Sequence, residues 1–276
     1  MGLAPNRRAT VISRSVRLFH ESSPGAAELL RRLHDEVLAL SFPPEEYIRP
    51  ETIEPGDGLA LIACQDDGLV VGGALGEHYP ASDSLLLAYL AVRPGFRGAG
   101  VGSVILNAVT ERWLDPIAPA FIELDDPRHT APDPGYGDPA ARLRFYGRAG
   151  VRLLAIPYFQ PRLRRDLSRG YHMFLAALPA RGAKLPAALP AERVSAFLSE
   201  CFQAAEGQGS LDDGEVRWLL DACRGPEIAL VGPEEIGTIP DILPPGASSR
   251  RLSDPEVARE LHPMMPLSSV RSRVRP

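Results

Sequence analysis

A chain of 276 residues with 45% hydrophobic and 24% charged side chains holds enough apolar material for a folded core, which excludes disorder over most of its length. A formal net charge of −5 supplies no bulk basic field for nucleic acid, and no apolar run approaches the roughly 20 residues of a membrane helix. The N-terminal segment has arginines but no continuous apolar block, and Cys64, Cys201 and Cys223 fit neither a disulfide framework nor zinc spacing. The expectation is a cytoplasmic protein without a metal, with no nucleic-acid or membrane partner, built as one large domain or one domain plus an appendage.

Taken in chain order, Val16 to His20 reads as a short first strand. Ser23-Pro24 then opens a helix over Ala26 to Leu40, with Leu29, Leu30, Leu33, Val37 and Leu38 at helical spacing. Two proline-containing stretches follow, Phe42 to Glu45 and Ile48 to Pro55. Strands are predicted over Leu59 to Cys64 and Leu69 to Tyr79, joined by Gln65-Asp66-Asp67-Gly68, a hairpin signal, and a third over Leu85 to Arg93. Arg97 to Trp113 reads as a helix entered through a glycine-rich loop, and Ala120 to Asp125 as another strand. A proline-rich loop over Asp126 to Asp138 leads into a short helix, Ala140 to Arg148, with Pro139 at its first turn and Gly150 after its end. Val151 to Ile156 and Tyr171 to Leu178 complete the strands. Antiparallel hairpins combined with a βαβ crossover predict a mixed α/β (α+β) layer fold.

Beyond Pro179 the pattern changes. Ala191 to Ala205 and Asp213 to Cys223 read as amphipathic helices, the first with Val194, Phe197, Leu198 and Phe202 on one face. After Gly232 the chain is dense in proline and lacks aromatic residues and periodicity, so it reads as a disordered tail. The predicted division is 14–180 for the main domain, 181–231 for a C-terminal helical extension, and 232–276 for the tail.

The stretch that carries chemistry runs from Leu85 to Ser103. A buried strand ends at Pro94, and a loop with alternating glycines (Gly98, Gly100, Gly102) opens into an apolar helix. Glycines let the backbone approach a ligand. The free N–H groups of a first helical turn suit a phosphate, and Arg97 adds a positive charge there. A kinase-type P-loop is excluded because no lysine follows the glycines. A dinucleotide fingerprint fits Gly98 and Gly100, but the hairpins that precede it do not suit that fold. The spacing Arg-x-x-Gly-x-Gly, present as Arg97-Gly98-Ala99-Gly100-Val101-Gly102 after Leu90-Ala91-Val92-Arg93-Pro94, resembles motif A of the GNAT superfamily of N-acetyltransferases. A second segment, Leu143-Arg144-Phe145-Tyr146-Gly147-Arg148-Ala149-Gly150-Val151, resembles the same family's motif B. The asparagine often found early in that helix is missing, and Asp138 and Pro139 occupy the neighbourhood.

The resemblance implies a GNAT fold: a mixed, mostly antiparallel sheet flanked by helices and split between its fourth and fifth strands, here Leu85–Arg93 and Ala120–Asp125. It implies acetyl-CoA as co-substrate, its pantetheine arm against Leu90, Ala91 and Val92, and its pyrophosphate on Arg97, Gly98, Ala99, Gly100, Val101, Gly102 and Ser103. It also implies direct attack of an amine on the thioester within a ternary complex. Tyr146 stands where the family protonates the leaving thiolate, and a phenol with a pKa of about 10 carries its proton at pH 7. For the base, Glu123 on the fifth strand and Glu77 on the third are the candidates, with His129 and Asp133 weaker. The acceptor would be an amine-bearing small molecule or peptide, met by the Phe42–Pro55 segment, the Asp126–Asp138 loop and the C-terminal helices. Two alternatives remain at this stage: a non-catalytic acyl-CoA sensor or interaction module of the same fold, with the C-terminal helices as a docking or homodimer surface, and a small-molecule dehydrogenase that binds a nicotinamide nucleotide.

Overall fold

The computed structural model describes residues 16–43, 46–47, 59–115, 118–164 and 166–245. Their strands form a nine-stranded open sheet in the order β1-β2-β3-β4-β5-β7-β6-β9-β8. Its first half is a meander: β1 (Arg17–His20), β2 (Leu59–Cys64), β3 (Val70–Tyr79) and β4 (Ser84–Val92). Between β1 and β2 lies α1 (Ala26–Leu33), which widens into a π-helical turn over His34–Leu38. Helix α2 (Val101–Arg112) crosses from β4 to β5 (Ala120–Asp125), the one parallel pairing among the described strands. Helix α3 (Pro139–Arg148), β6 (Arg152–Leu154) and β7 (Met173–Leu178) follow, and β7 returns antiparallel beside β5.

Alternation along the strands sends side chains to opposite faces of the sheet. Leu61 and Ala63 of β2 join Val101, Ile105 and Val109 of α2 on one face, while Ala60, Ile62 and Cys64 join Leu30 and Leu33 of α1 on the other. Gly73 on β3 is required by that second packing. A Cβ there would lie 2.6 Å from Leu33 Cδ2 and 2.7 Å from the Leu61 carbonyl oxygen. Helix α1 therefore lies directly on the sheet backbone.

The segment predicted as helical over 181–231 contains its helices, α4 (Ala191–Glu206) and α5 (Gly214–Ala222), and also two strands. These are β8 (Ala188–Pro190) and β9 (Glu227–Val231), and β9 pairs with β6, so the segment continues the sheet. The strands were missed because each is short. Their pairing closes across α4 and α5, a contact that local periodicity does not carry. Helix α4 covers the face of β5, β6 and β7 that α1 leaves open, burying Val194, Phe197, Leu198 and Phe202 against Phe121 and Leu175. The reading of 232–276 as a disordered tail does not hold for its described part. A 3₁₀ turn over Pro233–Thr238 packs beside α3, Ile239 is buried in the core, and Arg128 Nη1 donates to the Ile236 carbonyl at 3.0 Å. Composition hid this, because a few apolar anchors and one arginine fix a stretch that has no periodicity. The remainder of that predicted tail lies outside the described residues. Among the described residues no helix is long and apolar enough to cross a membrane.

Candidate active site

The site begins where β4 and β5 part. The two strands pair at Leu86 and Phe121 and then separate. On the other side of β4, Leu75 faces Tyr89 and Gly76 faces Leu87, so Ala88 is the extra residue of a β-bulge. A bulge bends its strand, and here it lies just past the last β4–β5 pair. Between the diverging strands opens a cleft of about 490 Å³, with Leu87, Ala88, Leu90, Ala91 and Val92 on one wall and Ile122, Glu123 and Leu124 on the other. The Arg93 N–H donates to the Val71 carbonyl at 2.9 Å, toward β3. By alternation, the N–H and C=O groups of Leu90 and Val92 point toward the cleft, an open strand edge for an extended ligand.

At the end of β4 the backbone turns through Gly98 (φ 77°) and Gly100 (φ 87°) into α2. Both φ values lie in the left-handed region that favours glycine. A Cβ at Gly98 would meet no protein atom within 4 Å. Both glycines line the cleft, and a Cβ at Gly98 would project into space left for a ligand. The first helical hydrogen bond runs from Val104 N–H to Gly100 O at 3.1 Å, which leaves the N–H groups of Val101, Gly102 and Ser103 without a partner in the helix. Arg97 spans the mouth. Its guanidinium donates to Val92 O at 3.2 Å, Gly135 O at 3.2 Å and Ser41 Oγ at 3.3 Å. Of the residues expected to hold the co-substrate, Leu90, Ala91, Val92, Arg97, Gly98, Gly100, Gly102 and Ser103 line the cleft. Ala99 and Val101 are buried, so only their backbone can serve.

Helix α3 closes the cleft from the side. Asp138 caps it by accepting from Ala140 N–H at 2.9 Å, and Pro139 fits its first turn. The capping aspartate therefore occupies the neighbourhood in which the resemblance lacks its asparagine. Tyr146, on the buried face of α3, lines the cleft. Burial pushes its phenol up to about 12, with the Arg142 guanidinium opposing, so the hydroxyl is protonated at neutral pH.

Glu123 sits where the cleft meets a second cavity of about 320 Å³. The Tyr158 hydroxyl donates to one of its oxygens, and Gln160 Nε2 donates to the other at 2.8 Å. Burial raises the Glu123 carboxyl above its ordinary value. The two hydrogen bonds work against that rise, and the nearby Glu77 charge adds to it. Glu77 lines the second cavity and accepts from the Tyr79 hydroxyl at 2.8 Å, without reaching the first cleft. Arg142 stands at the junction of both spaces, held by Asp125 at 2.8 Å.

The weaker base candidates lie elsewhere. His129 pairs with Asp241 at 2.8 Å and stacks on His172, and Asp133 caps its own loop through the N–H groups of Gly135 and Tyr136. The expected acceptor segment Phe42–Pro55 falls largely outside the described residues, although Phe42 and Glu46 reach the second cavity. Sequence reasoning missed Tyr158, Gln160 and Arg142. The first two come from the irregular stretch between β6 and β7, where no pattern marks a functional side chain. Arg142 was one arginine among several on its helix.

Residues 27–128 match the model of the acetyltransferase (GNAT) family. Over that segment the chain is similar to the GNAT family. Solved structures that resemble it include a protein from Bacteroides thetaiotaomicron assigned to the GNAT family of acetyltransferases, at 23% identity and a TM-score of 0.46, covering 62% of this chain and 89% of the other. The ribosomal-protein-S18-alanine N-acetyltransferase from Escherichia coli is 16% identical with a TM-score of 0.38, covering 61% and 96%. A GNAT-family protein from Desulfovibrio desulfuricans is 22% identical with a TM-score of 0.39, covering 60% and 99%. A comparison with curated protein sequences finds no match. The matched segment holds β2 to β5, Glu77, Glu123 and the glycine loop, while Tyr146 and the C-terminal helices lie beyond it.

Proposed function

We propose that this protein transfers an acetyl group from acetyl-CoA to an amine by direct attack in a ternary complex, within the cytosol. The observation that carries the reading is the cleft itself: a splayed strand edge, a glycine cradle formed by Gly98 and Gly100 with open space at Gly98, and Tyr146 and Glu123 on its walls. Leu90 and Val92 offer backbone partners to the pantetheine amides, and the first turn of α2 offers its N–H groups to the pyrophosphate. Bound there, acetyl-CoA supplies an activated thioester.

An ammonium has no lone pair, so the amine must first lose a proton. Glu123 takes it, because a carboxyl raised by burial is a stronger base than one in water. The nitrogen then bonds to the carbonyl carbon, the backbone N–H near Val92 faces the developing oxyanion, and the carbon–sulfur bond breaks. Tyr146 gives its proton to the departing thiolate, the acylated nitrogen sheds its second proton to restore the phenol, and Glu123 releases the first to solvent. Cys64, Cys201 and Cys223 are free buried thiols, which accords with a reducing compartment.

The test is a thermal-shift titration with acetyl-CoA, CoA and NADH, followed by thiol release with an amine panel. A ligand that binds only the folded state raises the melting temperature. Stabilisation by acetyl-CoA and CoA but not NADH, with amine-dependent thiol release, is the expected result. Stabilisation by NADH alone would overturn the assignment.

A further inference from the structure

The second cavity is closed in part by segments of the chain outside the matched family segment. Cys201, Ala204 and Ala205 of α4 form one wall. That wall is pinned twice. Glu200 of α4 accepts from Ala81 N–H at 3.0 Å and from the Ser82 N–H and hydroxyl at 2.9 Å, fixing the helix to the β3–β4 turn. Glu206, six residues further along the helix, receives two hydrogen bonds from the buried Arg169 at 3.0 and 2.7 Å. A wall clamped at both ends does not swing aside for a polypeptide.

The cavity is about 320 Å³, roughly twice the ~150 Å³ void that takes up one benzene ring. Its chemistry is one-sided. Glu46, Glu77, Glu123 and Asp125 line it, against Arg142 alone, and Arg142 is already bound to Asp125. The Glu77 and Glu123 charges oppose one another across it, a repulsion that a cation between them relieves. The rings of Tyr79 and Tyr89 stand beside those acids, surfaces that suit an apolar body or the flank of a cation.

We propose that α4 makes this domain selective for a compact amine of on the order of twelve non-hydrogen atoms, with its ammonium between Glu77 and Glu123 and its apolar body against Tyr79 and Tyr89. The inference rests on the acetyltransferase reading for its position beside the cleft, but not for its own readout, which is binding. A charge-assisted hydrogen bond lost at Glu77 reduces affinity by about tenfold or more.

The experiment is calorimetric titration of the CoA-loaded protein with phenethylamine, with its neutral analogue 2-phenylethanol, and with a hexapeptide carrying a free N-terminus and a lysine. Phenethylamine should bind at least about tenfold more tightly than 2-phenylethanol, and the hexapeptide should bind more weakly than phenethylamine. Ala205→Phe, which fills the cavity, should abolish phenethylamine binding while the thermal shift with acetyl-CoA stays intact. Glu77→Gln should weaken phenethylamine about tenfold and leave 2-phenylethanol unchanged, a readout that holds even where the larger substitution fails to fold. Tighter binding of the hexapeptide, or indifference of phenethylamine to both substitutions, would overturn the inference. If phenethylamine binds as described but no acetyl group moves, the cavity assignment stands and the transferase reading fails. Acetylation of the hexapeptide with no amine bound in the cavity would mean the reverse.

Discussion

Arg169→Met tests the clamp that holds the C-terminal helices. The Arg169 side chain is 2% exposed, and besides Glu206 it reaches Asp213 and Glu215, each at 2.7 Å. Its guanidinium also lies over the rings of Phe159 and Phe202 at 5.5 and 5.8 Å. Methionine keeps most of the volume and the apolar contacts, so the substitution mainly removes charge. Asp213 and Glu215 are 38% and 24% exposed and regain water by small rotations, whereas Glu206 at 7% keeps only Arg162, whose N–H donates at 2.9 Å. Removing one partner of a buried pair costs about 3–5 kcal/mol, and the remaining arginine argues for the lower end, about 3 kcal/mol. That is a large part of a typical domain stability of about 5–15 kcal/mol.

The loss has a pH signature. Burial works against the charges of Glu206 and Asp213, but the Arg169 hydrogen bonds and charge, together with backbone N–H groups and, for Glu206, the Arg162 charge, outweigh it and leave both carboxyls below their ordinary values. Groups lowered on folding contribute stability above their unfolded values of about 4.3 and 3.9, and that contribution fades as pH falls through the folded ones. Urea denaturation at pH 7 should therefore show a gap of about 3 kcal/mol between wild type and variant, narrowing below about pH 4 as the carboxylates protonate. Since α4 walls the second cavity, the amine KM should also rise while the acetyl-CoA thermal shift is retained. A gap below about 1 kcal/mol, or one that does not change with pH, would refute the account.

Further outcomes concern the cleft. Tyr146→Phe should lower kcat by about a hundredfold with CoA affinity nearly unchanged, measured by thiol release and calorimetry. Unaltered kcat would remove Tyr146 from proton donation. In Glu123→Gln the turnover should fall by a similar factor. Wild-type kcat/KM should rise with pH through the raised Glu123 value, above the ordinary carboxylate range, and this limb should vanish in the variant. Persistence of that limb would place the base elsewhere. Because Gly100 sits at φ 87°, Gly100→Ala should cost about 1–2 kcal/mol of stability from the backbone alone. Gly100→Val should in addition weaken CoA well below its melting temperature, because its side chain stands in the cradle; equal CoA affinity in the valine and alanine variants would separate the loop from binding.

What the sequence determined by itself is local. The hairpin signals, the proline at the first turn of α3, and the apolar spacing of α1, α2 and α4 depend on neighbours a few residues apart, and those elements lie near their predicted ranges. The Arg97–Gly102 spacing likewise marked the entrance to a helix in advance, because left-handed turns and close approaches leave glycine as their trace. What tertiary structure alone decided depends on residues far apart in the chain. The divergence of β4 from β5 follows from a bulge at Ala88 that appears only when β3 is paired. Glu123 owes its raised carboxyl to burial in the assembled core and to the Glu77 charge on β3, against the hydrogen bonds that Tyr158 and Gln160 bring from the stretch between β6 and β7. The second cavity exists because α4 and β9 fold back onto the sheet across the whole domain, burying the apolar face that periodicity showed but could not aim. A periodic pattern tells a helix which side to hide, and only the assembled core tells it against what.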